Sequence, residues 1–311
     1  MRGSRVEQNI AKKGRGASSN RASLKRNGAF YVMLLPFTVI FLIFTLIPAL
    51  VGVLASLTDF NGMTMPSFTG LDNYFRLLFK DQTFLVVFRN TLWQAMIVGP
   101  LGYILSFAVA WLINELSKQV RLLIIFLFYS PSISGTLFLI WKYIFANDAN
   151  GVINSALVRL GLEPVNWLSD SSYSMAVVII VSLWMSFGTG FLSFVAGFHG
   201  LDRAFYEAAA IDGLRNRWQE LYYVTLPQMG PQLLFGAVQS IASSFAVGSV
   251  NSQLAGYPST NNATDTILLY MNEYGKTRFE LGYAAAMSVF LMTVMLLLWK
   301  LIDTVLRAFN E

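Results

Sequence analysis

Glu207–Pro227, EAAAIDGLRNRWQELYYVTLP, is a polar, helix-prone segment set between two long apolar runs. Upstream, Tyr173–Leu201 holds no Asp, Glu, Lys or Arg, and downstream none occurs from Leu221 to Thr264. The whole chain repeats that contrast. Of its residues 55% are hydrophobic, 14% aromatic and only 13% charged, a composition solvated mainly by lipid. An integral membrane protein that keeps such a polar segment is expected to use it for gripping something beyond the lipid.

A helix needs about 20 apolar residues to cross the hydrocarbon, and a charge at its centre costs several kcal/mol. Six runs meet this requirement: Ala29–Leu57, Thr91–Asn114, Leu122–Trp141, Tyr173–Leu201, Leu221–Val250 and Leu281–Trp299. The fifth is broken by Pro227 and Pro231, which puts its spanning part near Gln232–Val250. No period-2 alternation is present, and an isolated strand in lipid leaves its backbone groups unpaired, so the expected fold is all-α with six transmembrane helices.

Orientation follows from the bias of basic residues in short connections. With the N-terminus in the cytoplasm, the inner segments hold 15 of the 22 Lys and Arg, so both ends are expected inside. Eight of these residues fall in the first 26 positions, within a Gly/Ser/Asn-rich stretch too polar to fold alone. Residues 1–28 therefore read as a flexible basic tail beside anionic lipid, and 29–311 as the membrane domain. The pI near 9.4 is a topology signal rather than a sign of nucleic-acid binding.

Several functions are argued against by what is missing. There is no cysteine, so disulfides and thiolate metal sites are excluded, and one histidine, His199, leaves little for metal or acid-base chemistry. The interior spans carry no ionisable residue for proton or sodium coupling, and no duplicated half is evident. GxxxxGK[ST] is also absent, so active transport would need its energy from another subunit. Asp202–Glu220 is where such a subunit would attach. Ala204–Asp212 favours helix, Gly213 suits a left-handed stop, and a second short helix fits Trp218–Val224 ahead of Pro227. From physics alone, an amphipathic connector lying on the headgroups is the more ordinary reading.

These residues resemble the permease subunits of binding-protein-dependent ABC importers. The hallmark loop of that family reads EAA, three residues, Gly, nine residues, then I-x-L-P. Glu207, Ala208, Ala209, Gly213, Leu226 and Pro227 match it, with Val224 in the place of isoleucine and Asp212 offering a further charge. The resemblance implies a coupling loop over 202–227 that seats in a cytoplasmic ATPase. Ten residues instead of nine separate Gly213 from Val224, and the extra one is expected to bulge the turn among Leu214–Arg217.

Further matches point to the carbohydrate-uptake branch of maltose and oligosaccharide permeases. They include Tyr31–Pro36, Pro48–Phe60, Gly70–Tyr74, Asn90-Thr91, Trp184, Gly197 and Gly282–Ala286. Phe198–Asp202 and Ala255–Pro258 depart from the branch pattern. The resemblance implies a homologous second permease, two ATPases that bind ATP and Mg, and an extracytoplasmic sugar-binding protein. It also implies a bacterial plasma-membrane location, with no cofactor and no catalysis in this chain. A polyol or glycerol phosphate importer is the alternative, a self-contained channel or carrier a more distant one.

A sugar wants small polar groups for hydrogen bonds and aromatic faces for stacking. Ser182, Met185, Ser186 and Thr189 fall at i, i+3, i+4 and i+7, one face of a helix. They match cavity positions in a maltose-type relative. In the fifth span Gln239 and Ser243 share a face, as do Ser240 and Ser244. All eight are expected to line the substrate pathway, with helix packing as the other use of small polar residues.

Overall fold

The structure, a computed structural model, describes residues 28–134 and 137–310. The basic tail read over 1–28 lies outside these residues, apart from Gly28 at its end. Contacts divide the chain into two units, Met1–Ala55 and Ser56–Glu311. The first unit contributes α1 (Val32–Ala55), 24 residues or about 36 Å of helix, enough to cross a hydrocarbon core of about 30 Å. A π-helical turn at Leu42–Leu46 precedes Pro48, which has no N–H to give the regular ladder.

The second unit is built on α2 (Gln82–Asn114), 33 residues long. It is followed by α3 (Lys118–Ile133), α4 (Ser174–Met185), α5 (Thr189–Gly200) and α6 (Arg203–Ile211). Then come α7 (Gly230–Phe245), α8 (Ser249–Ala255) and α9 (Leu281–Asn310). Four helical stretches are long and apolar enough to span a membrane, with α4 and α5 together counted as one, and six if each of two bent pairs is a single span. The number agrees with the six apolar runs, but two of them are not straight. α7 and α8 meet at 42°, and α3 is separated from Phe138–Ile144 by a break that includes the undescribed residues 135 and 136. Among the described residues the extended structure amounts to a single bridge, Thr58 to Phe68, so this is an all-helical, multi-pass membrane fold.

α2, α5 and α7 pack against one another, and aromatic side chains fill the space between them. Phe191 and Phe194 are fully buried, with the Phe194 ring edge-on to Tyr103 and Phe107. Gly236 allows this approach: a Cβ there would lie 2.3 Å from Phe194 Cζ. Lipid tails are as apolar as the helix surfaces, so close packing of this kind replaces the hydrophobic drive that water would supply.

Asp81 organises the Gln82 end of α2. Its Oδ1 caps the helix by accepting from Phe84 N at 2.9 Å, while its Oδ2 accepts from Tyr270 (2.9 Å) and Tyr283 (2.8 Å). Arg76 lies over the Tyr283 ring, 4.1 Å from its centroid, and pairs with Glu280. Burial, together with the bonds to Tyr274 and Asp81, pushes the Tyr270 hydroxyl above its ordinary pKa and keeps it a donor. Asn73, within the Gly70–Tyr74 match, donates to the carbonyls of Ser56 (2.9 Å) and Thr58 (2.8 Å), and Gly282 N donates to Phe60 O at 2.7 Å.

Asp81→Ala removes the cap and takes the carboxylate acceptor from two tyrosine hydroxyls. About 1 kcal/mol for the cap and about 1–3 kcal/mol for these donors lower the melting temperature of the detergent-purified protein by on the order of 5 °C. Asp81→Asn, which still caps, falls between; unchanged melting of the alanine variant contradicts this account.

Candidate functional site

The hallmark segment folds as a capped helix followed by a bulged one. Asp202 caps α6 by accepting from Ala204 N at 3.0 Å, a start that Asp ahead of a helix-prone run signals in the sequence. At the other end Gly213 adopts φ +96°, Leu214 N donates to Ala209 O (3.0 Å) and Gly213 N to Ala210 O (3.2 Å). That pair of bonds is the Schellman closure, and its left-handed residue is the reason for glycine here. Arg217–Glu220 then begins a helix capped by Asn216, a π-helical turn follows at Leu221–Thr225, and Leu226–Gln228 leads into α7. Residues 214–216 form the non-helical turn, and an irregularity also sits at 221–225, where a π turn is a form in which a helix holds one additional residue.

Three contacts hold this segment. Tyr206 on α6 hydrogen-bonds Thr225 (2.8 Å), the Trp218 ring rests 4.9 Å from that of Trp111 at the end of α2, and Arg217 pairs with Glu115. Ala209 is buried, whereas Glu207, Ala208, Asp212 and Gly213 are exposed and Ile211 is 87% exposed. Leu226 is half-buried and Pro227 exposed at the start of α7. α6 thus shows solvent a face of apolar and acidic groups on a short, fixed helix.

A cavity of about 490 Å³ lies between α2, α5 and α7. Met185, Ser186, Thr189, Gln239, Ser240 and Ser243 all line it, so most of the expected pathway residues do come together. Gln239 Nε2 donates to Thr189 Oγ1 at 2.7 Å across the α5–α7 seam, and Ser240 Oγ donates to Gly99 O at 2.7 Å. Ser182 and Ser244 do not line it. Each is buried: Ser182 accepts from Gln94 Nε2 at 3.2 Å, and Ser244 bonds Ile241 O beside Gly99. For the fourth span the helix ends at Met185 and resumes at Thr189 after Gly188 (φ −104°, ψ −144°), so one helical face does not run through Ser182, Met185, Ser186 and Thr189.

The cavity also holds Tyr103, Ser106 and Ser132, which helical spacing in the fourth and fifth spans could not reveal. Ser132 steadies the break by donating to Phe187 O at 2.8 Å. Trp184 packs edge-on against Trp141, with centroids 5.5 Å apart, outside the cavity lining. None of the lining residues is charged, so the surface suits a hydroxyl-rich solute.

The profile of the family described as "Binding-protein-dependent transport system inner membrane component" matches residues 100–310. The chain is 30% identical over 291 residues to the probable ABC transporter permease protein YesP of Bacillus subtilis (strain 168), covering 90% of this chain and 92% of that one. It is 29% identical over 284 residues to the lactose transport system permease protein LacF of Rhizobium radiobacter, covering 88% and 92%. Its fold is similar to a crystal structure of a bacterial ABC transporter involved in the import of the acidic polysaccharide alginate, with a TM-score of 0.75 and 25% identity over 94% of this chain and 100% of that chain. A second crystal structure, of the bacterial alginate ABC transporter in complex with an alginate pentasaccharide-bound periplasmic protein, gives the same score and identity over 93% and 98%.

Because the chain has no cysteine, single thiols report on this geometry. Ser243→Cys and Ser186→Cys react with a small water-soluble thiol reagent at least roughly ten-fold faster than Ser182→Cys and Ser244→Cys, since access governs the rate at matched pH. Equal labelling at all four positions rejects the cavity boundary drawn here.

Proposed function

This chain belongs to the family of binding-protein-dependent transport system inner membrane components, and from that premise we propose that it is one of two homologous permease subunits of an ATP-driven sugar importer. The two permeases share a translocation pathway, and the cavity between α2, α5 and α7 is this subunit's part of it. Two cytoplasmic ATPase subunits hydrolyse ATP with Mg, and an extracytoplasmic binding protein delivers the sugar. The chain is a transport component and carries out no bond chemistry. Saccharide relatives such as LacF support the sugar assignment over a polyol or glycerol phosphate.

The bias of basic residues supports a cytoplasmic N-terminus, which puts α6, Asn114 and the C-terminus inside and Asp81 outside. The observation that carries the reading is the exposed, doubly capped α6 tied through Tyr206 and Thr225 to the helix leading into α7. Closure of the ATPases moves α6, and the 14 residue steps from Thr225 to Gln239 pass that displacement about 21 Å along the helical segment to the cavity wall.

Two variants of the assembled transporter in proteoliposomes test the coupling. Proline cannot adopt the positive φ of Gly213, so Gly213→Pro misdirects the chain after α6, and Glu207→Lys reverses a charge on its exposed face. Both insert and assemble, yet uptake per ATP hydrolysed falls roughly ten-fold or more; wild-type stoichiometry in either removes the coupling assignment. In the cavity, Ser186→Trp blocks sugar uptake while the complex still assembles, and undiminished flux moves the pathway elsewhere.

A further inference from the structure

A second cavity, about 460 Å³, shares no lining residue with the first. Arg89, Asn90 and Trp93 of α2 form one wall, Ser171 and Met175 a second, and Asn261 part of a third. Arg89 and Trp93 are one helical turn apart and so are neighbours on the α2 surface. Arg89 stands two residues ahead of the charge-free run that begins at Thr91, at the end of the bundle that the proposed orientation turns outward. It is exposed, and among the described residues its guanidinium makes no hydrogen bond or ion pair. Trp93 is 59% exposed, far more than packing requires.

The facing loop is held in place before any ligand arrives. Asn261 and Asn262 both take left-handed backbone, with φ 56° and 54°. Asn90 Nδ2 donates to Asn262 O (2.7 Å) and Asp265 O (3.2 Å), and Ile267 N donates to Thr91 Oγ1 at 2.9 Å. Consecutive left-handed residues persist only where the surroundings over-determine them, and these bonds do so. The result is a fixed aromatic face, a free guanidinium and amide and hydroxyl groups around one space.

We propose that this cavity binds the carboxylate-bearing ring of an acidic saccharide on its way into the transporter. The apolar face of the ring rests on Trp93, Arg89 directs two of its N–H donors onto the carboxylate, and Asn261 and Ser171 meet the hydroxyls. A neutral sugar leaves the guanidinium unanswered, and a bare phosphate leaves the indole unused. No charged residue of this chain lines the membrane-level cavity, whereas Arg89 lines this one. The proposal deepens the sugar-importer reading and rests on it for the ligand being a saccharide and for its direction of travel.

The test uses the assembled transporter in nanodiscs without its binding protein. Binding of digalacturonate, diglucuronate and dimannuronate is compared with that of each carboxyl-reduced, uncharged counterpart. At least one charged disaccharide binds roughly ten-fold more tightly than its reduced form. Arg89→Gln erases that preference, Arg89→Lys keeps part of it, and Trp93→Ala weakens both forms together. Equal binding of every pair by the unaltered complex, as when lipid headgroups hold Arg89, overturns the proposal, and so does a preference that survives Arg89→Gln. Loss of uptake of charged and neutral saccharides alike in Arg89→Gln, with binding unchanged, also overturns it and gives Arg89 to docking of the binding protein. ATP-driven uptake is measured separately: import of no saccharide by the complete system sinks the importer reading, while the binding comparison still decides the role of Arg89.

Discussion

A polar atom away from water must find a partner within the protein, and the pairing this forces along α2 connects the elements of the second unit. Gln94 is almost fully buried and exchanges hydrogen bonds with Asn251, which is completely buried on α8, at 2.9 and 3.2 Å. Gln94 also donates to Ser182 on α4, and Asn251 to Thr264 O at 2.7 Å. A few residues toward its N-terminus, Thr91 and Asn90 hold the loop before α9, and Asp81 gathers tyrosines from both Ile267–Asn272 and α9. Further along, Gly99 O receives Ser240 of α7. One helix thus sets the relative position of α4, α7, α8 and α9 through directional bonds that apolar packing alone would not specify.

Among the spaces that this fixed frame leaves open are two with polar groups in their walls. One is the cavity where α5 and α7 face α2, with Gly236 allowing the helices close and the break at Ser186–Gly188 opening a space beside them. The other is the Arg89–Trp93 cavity at the opposite side of the Gln94 junction. In the proposed transport cycle, α6 moves the wall of the first through Tyr206, Thr225 and α7. The π turn at Leu221–Thr225 lies within that lever. It makes Thr225 Oγ1 available both to Tyr206 and to Glu220 O (3.3 Å), so the bulge is tied down at its end.

Much of this was legible in the chain itself. The six charge-free runs, the helical Ala204–Asp212 segment and the stop at Gly213 follow from hydropathy, propensity and the conformational freedom of glycine, all of which act over a few neighbouring residues. Six of the eight residues expected on the pathway line one cavity, because spacing of small polar groups survives a local kink. Ser182 and Ser244 were misplaced because the face they present depends on where α4 ends and on how α7 is rotated against Gly99. Ser132 and Ser106 carried no local signal, because what brings them to the cavity is the packing of one helix against another.

The sequence by itself determined that this chain lives in lipid, how many times it has apolar length to cross, and which short polar segment is kept out of the hydrocarbon. Those properties depend on transfer free energies summed along contiguous residues. Only the tertiary structure decided which polar groups are spent on one another and which are left facing open space. Gln94, Asn251 and Ser182 lie 157 and 88 residues apart and satisfy each other in the core, while Gln239 bonds Thr189 and still lines a cavity, and the Arg89 guanidinium faces another. That difference is fixed by distance in three dimensions, which no stretch of chain records.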